Sequence, residues 1–239
     1  MASVSSHQVR QFTSPVNAAA ALDANVVRGN DNVLREAYVA HDADPSIHIQ
    51  SGTLANRPTT IADGSTYYAT DTGDTYSRVS GVWVLSAWAH WYGSAFDTTD
   101  QTAAAPNVGQ VVTFNNSAVL RGVTLSNTSR LNVQYAGDYN VQFSAQLMNP
   151  DSAECDVWFW FAKNGTAIAD SAGRITVPKK HGSGDGHALV AWNLYATLAA
   201  NDYIELYWQT QNVLTVLETV AASGTAPQSP SAILTINRI

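Results

Sequence analysis

Arg130-Leu131-Asn132-Val133-Gln134-Tyr135, a break at Ala136-Gly137-Asp138, then Tyr139-Asn140-Val141-Gln142-Phe143-Ser144-Ala145-Gln146-Leu147: apolar and polar side chains alternate strictly on both sides of a turn. In an extended chain successive side chains leave opposite faces, so a period of two puts one face in a core and the other in water or against a partner. Similar runs lie at 156–163, 187–198, 202–210 and 231–239, and the last predicts that a strand, rather than a tail, closes the fold. Upstream runs at 108–114 and 119–125 complete a set of antiparallel strands. So many short strands in one segment predict a β-sandwich or jelly roll, and the expected class is mainly β.

Composition narrows the class further. A chain of 239 residues that is 45% hydrophobic can bury the core of one large or two small domains. Only 13% of the residues are charged, against about 25% in a typical protein. Ser, Thr, Asn and Gln take their place, a balance closer to extracellular β proteins and virion proteins than to cytosolic enzymes. The net charge of -7 and pI near 5.2 speak against nucleic acid, because phosphate binding needs clustered cations and the one adjacent pair is Lys179-Lys180. The single Cys155 allows no internal disulfide, and beside Asp156-Val157-Trp158-Phe159 it reads as a small buried apolar residue. No charged start leads into a long apolar stretch, so neither a signal peptide nor membrane insertion is expected.

Three segments differ in texture. Residues 1–50 read as an anchoring arm, with a possible edge strand at 3–10, a helix start at Ser14-Pro15, and a short helix at 18–27. A second helix is expected over 32–40, capped by Asn30 or Asp31, with Val33, Leu34, Ala37 and Tyr38 at helical spacing. Two short helices bury little alone, so Val33, Leu34 and Tyr38 are the candidate anchoring residues of an arm that needs a partner. Residues 51–92 are rich in turn chemistry: Asn56-Arg57-Pro58, Asp63-Gly64, Asp71-Thr72-Gly73-Asp74 and Ser80-Gly81. Between these turns a small β-meander is expected at 65–70, 75–79 and 82–85. Leu54-Ala55-Asn56-Arg57-Pro58, then Gly64-Ser65-Thr66-Tyr67-Tyr68-Ala69-Thr70-Asp71-Thr72-Gly73 and Gly81-Val82-Trp83, resembles the hairpin module of bacteriophage tail-fibre, head-fibre and other virion proteins.

Residues 93–239 begin with a polar link through Pro106 and continue as the jelly-roll head. Several of its corners are similar to those of the tumour necrosis factor and complement heads. Ala136-Gly137-Asp138-Tyr139 resembles their glycine-tyrosine corner, Lys163-Asn164-Gly165 their hairpin, Ala200-Asn201-Asp202-Tyr203-Ile204 their turn, and Ser231-Ala232-Ile233-Leu234 their closing strand. Asn201 departs from the usual glycine but accepts a positive φ better than most residues. That resemblance implies a homotrimer in which each jelly roll packs an aromatic flank on its neighbours. Seven Trp and ten Tyr are available, and Trp158-Phe159-Trp160-Phe161 puts rings on both faces of one strand. The candidate trimer residues are therefore Trp158, Trp160, Tyr139, Phe143 and Tyr207, each interface ring being worth about 2 to 3 kcal/mol.

Reactive constellations are thin. His41, Asp42, Asp44 and His48 could hold a divalent cation, but Pro45 breaks the local helix and the carboxylates suit turn capping, so no metal is expected. His181, Ser183, Asp185 and His187 invite a hydrolase reading, yet glycines on both sides of Ser183 make a mobile loop rather than a nucleophile elbow. Asn127-Thr128-Ser129 and Asn164-Gly165-Thr166 match a glycosylation pattern but are read as turns. No cofactor is expected, and no catalytic residue is assigned. The expectation is a non-enzymatic phage structural protein at the virion surface, made in the host cytoplasm. It would be a trimeric appendage of capsid decoration, cement, head-fibre or tail-fibre type, anchored to capsid or tail proteins by its N-terminal part. The alternative is a receptor-binding head of a tail fibre that takes host surface glycan, with candidate loops at 178–187 and 212–230.

Overall fold

The computed structural model describes residues 33–37 and 49–239, and these are mainly β. Residues 33–37 form one helical turn on which Leu34 is exposed. The features expected at 3–10 and 18–27, Tyr38, and the His41 to His48 cluster lie outside the described residues.

Strands β1 (Gln50–Gly52), β2 (Thr66–Ala69), β3 (Thr75–Val79) and β4 (Val82–Ala87) form a small sheet in that order. The last three are the expected meander. Ser80 and Gly81 both take positive φ, 50° and 77°, as a two-residue hairpin turn between twisted strands requires. β1 was not expected: it pairs in parallel with β2, Gln50 opposite Tyr67, which moves Gln50 out of the arm. The loop after β1 covers one face, where Trp83 Nε1 donates to the Pro58 carbonyl and the Arg57 guanidinium lies over Tyr76. The other face presents Tyr68, Val79, Val82 and Val84 to solvent.

The head is two facing sheets. The front sheet runs β15 (Gly186–Leu198), β11 (Gly137–Asn149), β18 (Ala232–Arg238), β5 (Tyr92–Asp97) and β8 (Asn116–Arg121). β17 (Val216–Leu217) and β6 (Gln101–Thr102) extend it beside the far end of β11. The back sheet runs β13 (Thr166–Ala167), β12 (Cys155–Lys163), β16 (Tyr203–Thr210), β10 (Arg130–Val133) and β9 (Val123–Ser126). β14 (Gly173–Val177) joins it on β12, and β7 (Gln110–Val111) on β16.

Alternation decides what fills the space between the sheets. Tyr139, Val141, Phe143, Ala145 and Leu147 of β11 face Val157, Phe159 and Phe161 of β12 and Ile204, Leu206 and Trp208 of β16. Phe143 sits 5.2 Å from Phe159 and 5.6 Å from Phe161, centroid to centroid. Tyr139 and Phe143 are therefore core residues, buried within their own chain, and the assignment of these two to a trimer contact is corrected. Tyr139 donates its hydroxyl proton to the Tyr135 carbonyl, and burial pushes its pKa up to about 12.

Two strand expectations also change. The 119–125 run is broken at Gly122, whose φ of 61° turns the chain from the front sheet into the back one. The Trp91 ring lies so close to Gly122 that a Cβ there would sit 2.5 Å from it. The polar link after Tyr92 is in fact β5, a central strand. Its inward residues are Gly93, Ala95 and Asp97, so the apolar alternation that marks the other strands has the opposite sign here.

The small sheet is fixed to one end of the head. Trp91 stacks on Tyr135 at 4.3 Å and donates to the Thr72 carbonyl, while the Ala136 amide donates to the Asp71 carbonyl. Arg238, at the end of β18, makes two 2.7 Å bonds to the carboxylate oxygens of Asp74 and a third to the Thr72 carbonyl. Both side chains are nearly buried. Burial alone would raise the Asp74 pKa, but the hydrogen bonds from Arg238 and Thr72 and the guanidinium charge outweigh it and hold the carboxyl below its ordinary range. The opposite end of β11, a strand of 13 residues, carries two exposed hairpins around the His181–Gly184 and Ser223–Ala226 bridges. His187 and Glu218, 3.0 Å apart, join the bases of these hairpins.

Candidate functional site

The two outer faces of the head differ in chemistry. On the front sheet, cross-strand pairing lines residues into rows. One row reads Tyr195, Asn140, Asn237, Tyr92 and Arg121; the next reads Asn193, Gln142, Thr235, Ser94 and Val119; a third reads Ala191, Ser144, Ile233 and Phe96. Leu189 opposite Gln146 and His187 opposite Met148 complete the face. Its ionisable groups are confined to the ends, Asp138 and Arg121 beside the small sheet and the His187–Glu218 pair at the other. The centre is neutral, and its polar groups are tied to one another: Asn193 donates to Asn140, and the Ser94 and Thr235 hydroxyls are 3.2 Å apart. Loss of charge with retention of Tyr, Phe, Met and aliphatic groups is the composition of the core of a protein–protein contact.

The back sheet is laced with charge. Arg130 pairs with Glu205 at 3.0 Å and Arg174 with Asp156 at 3.3 Å, and the Arg130 guanidinium lies 4.4 Å over the Tyr203 ring. Trp158, Trp160 and Tyr207 stand half-buried among these groups on the outer face, with Trp160 and Tyr207 stacked at 5.6 Å. Of the sequence-derived trimer residues, these three share one face while Tyr139 and Phe143 lie in the core. Sequence reasoning passed over Leu189, Tyr195, Phe96 and Ile233. A signal existed in 187–198, where Leu189, Ala191 and Tyr195 place apolar groups on the face opposite Val190, Trp192 and Leu194.

The remaining candidates have plain positions. Val33 and Leu34 lie on the helical turn at 33–37. Ser183 is at the exposed tip of its hairpin, and His187 contacts Glu218. Cys155 is buried with Sγ 3.1 Å from the Thr210 hydroxyl. Asn127 and Thr128 both take positive φ, as do Asn164 and Gly165, so both glycosylation-like motifs are tight hairpin turns. Among the described residues no group of three or more His, Cys, Asp or Glu is gathered to hold a metal, and no helix is long and apolar enough to cross a membrane. Neither the protein-family models nor the curated proteins compared with this chain match it.

Proposed function

We propose that the protein is a non-enzymatic structural component of a bacteriophage particle, a homotrimeric appendage at the virion surface held by its N-terminal part. The observation that carries this reading is the neutral centre of the front sheet's outer face. Its exposed Leu189 and Tyr195 gain from burial, and the uncharged polar rows between the edges set no like charges against one another, so the face suits a copy of itself, which replaces the trimer contact sought in the sequence at Trp158, Trp160 and Tyr207. The small sheet, with Tyr68, Val79, Val82 and Val84 uncovered at the end opposite the exposed hairpins, supports an anchor at one end and a display surface at the other. Capsid decoration and a short head or tail fibre share this geometry.

Light scattering of the full chain tests the proposal, with three chains expected in the particle measured. Gln142→Lys combined with Ser144→Lys sets two cations in the middle of the front face and is expected to reduce the mass to one chain. The same charges at Trp158 and Gln209 on the back sheet are expected to leave it at three. A wild-type monomer would overturn the proposal. The second reading, a glycan-binding head, is favoured only by the stacked Trp160 and Tyr207 rings on the back sheet; loss of glycan binding on Trp160→Ala would support it.

A further inference from the structure

The two edges of the front face are complementary. On β15, Leu189 and Tyr195 are 65% and 63% exposed, more than any other large apolar side chain on a strand of the head. At the opposite edge, Phe96 and Ile233 floor a groove of about 420 Å³ whose walls include Ala118 of β8 and Gln228 and Pro230 of the hairpin before β18. Protrusion and groove also lie at nearly the same height along the strands. Leu189 is opposite Gln146, whose amide donates to the Ser231 carbonyl beside Pro230, and Ile233 is opposite Phe96. Tyr195, three rows away, shares its row with Tyr92 and Arg121 of the far edge.

We infer that Leu189 of each head seats in the Phe96–Ile233 groove of a second copy, closing a ring of three. A rotation about an axis along the strands keeps every row at its height. It therefore delivers Leu189 to the groove and Tyr195 to Tyr92 and Arg121 of the neighbour in one movement. An axis across the strands would carry Leu189 to the wrong end. Because protrusion and groove occupy different edges, each copy uses one edge as donor and the other as acceptor, a head-to-tail contact that forms a ring when the rotation closes, here at the three copies of the proposed homotrimer. The inference rests on the homotrimer proposed above and adds which side chains meet.

The test uses the full chain carrying Leu189→Cys and Gln228→Cys, treated with a short bis-maleimide; buried Cys155 stays unreactive. A covalent ladder ending at three chains is expected, with no product from either single variant. A ladder ending at two chains, or equal cross-linking of the Leu189→Cys variant alone, would overturn the inference. So would an uncross-linked double variant that light scattering still finds as three chains, an outcome that spares the homotrimer. A single chain in light scattering of the wild type removes both. As a second arm, Leu189→Asp is expected to lower the mass to one chain with an unchanged circular-dichroism spectrum, and retention of three chains would overturn the seating.

Discussion

Arg238 shows how much one side chain can fix. Its guanidinium spans from the last strand of the head to Asp74 in the small sheet, and both partners are shielded from water. Removing one member of such a pair leaves the other charge buried, so Arg238→Ala is expected to destabilise the chain by about 3 kcal/mol. For a protein of this size that lowers the melting temperature by roughly 6 to 12 °C, readable by calorimetry. The Asp74 carboxyl titrates below its ordinary pKa of about 3.9 in the folded chain. Its contribution is therefore complete above about pH 4 and is lost as pH falls through the lower, folded value, so the stability gap between wild type and Asp74→Asn should close in acid. Tyr139 has the opposite dependence. Its folded pKa is raised to about 12, so the wild type is expected to lose up to about 3 kcal/mol relative to Tyr139→Phe as pH climbs from about 10 to 12. Denaturant titration in alkaline buffer measures this directly. Gly137 belongs to the same joint: a Cβ there would strike the Arg238 guanidinium stem, which makes this glycine a condition of the clamp.

β12 carries the clearest test of which ring faces where. Phe159→Ala empties a packed site between the sheets and is expected to cost about 3 to 5 kcal/mol. Trp158→Ala, one residue away on the outer face, is expected to cost under about 1 kcal/mol by chemical denaturation, since half-buried surface positions contribute little. β11 was legible because it alternates apolar and polar residues from Asp138 to Leu147, whereas β12, β15 and β16 were legible as long runs rich in aromatic and aliphatic residues. β5 was illegible because its inward side, crowded at Gly93 by Val123 and Leu120, carries only Gly93, Ala95 and Asp97, which hides the pattern that a core strand normally shows. β1 and the two-residue strands carry too few side chains to form any pattern, and their pairing is decided by the sheets they join. The residues that the sequence offered for an interface divide between the core, which holds Tyr139 and Phe143, and the outer face of the back sheet, which holds Trp158, Trp160 and Tyr207. Sequence alone shows that β12 has rings on both sides, whereas the decision between the faces depends on where Arg130, Glu205, Arg174 and Asp156 gather in space.

For the molecule as a whole, contacts distant in sequence dominate, and the order of strands in the front sheet makes this specific. β18 lies between β11 and β5, pairing with both. Folding is therefore predicted to be slow, with apolar strand edges exposed before closure. Deleting residues 232–239 is expected to leave an aggregating chain rather than a smaller folded head, as size exclusion would reveal. The position of β18 also bears on how the protein is made in a cell. At about 5 to 20 residues per second, roughly 10 to 50 seconds pass between the first residues and β18. From the completion of β11 until then, β5 and β11 lack the strand that lies between them, and Arg238 has yet to reach Asp74. The head and its small sheet thus become one body only after translation of residue 238. A nascent chain stalled before that point should be fully sensitive to protease, and one released just after it should be resistant.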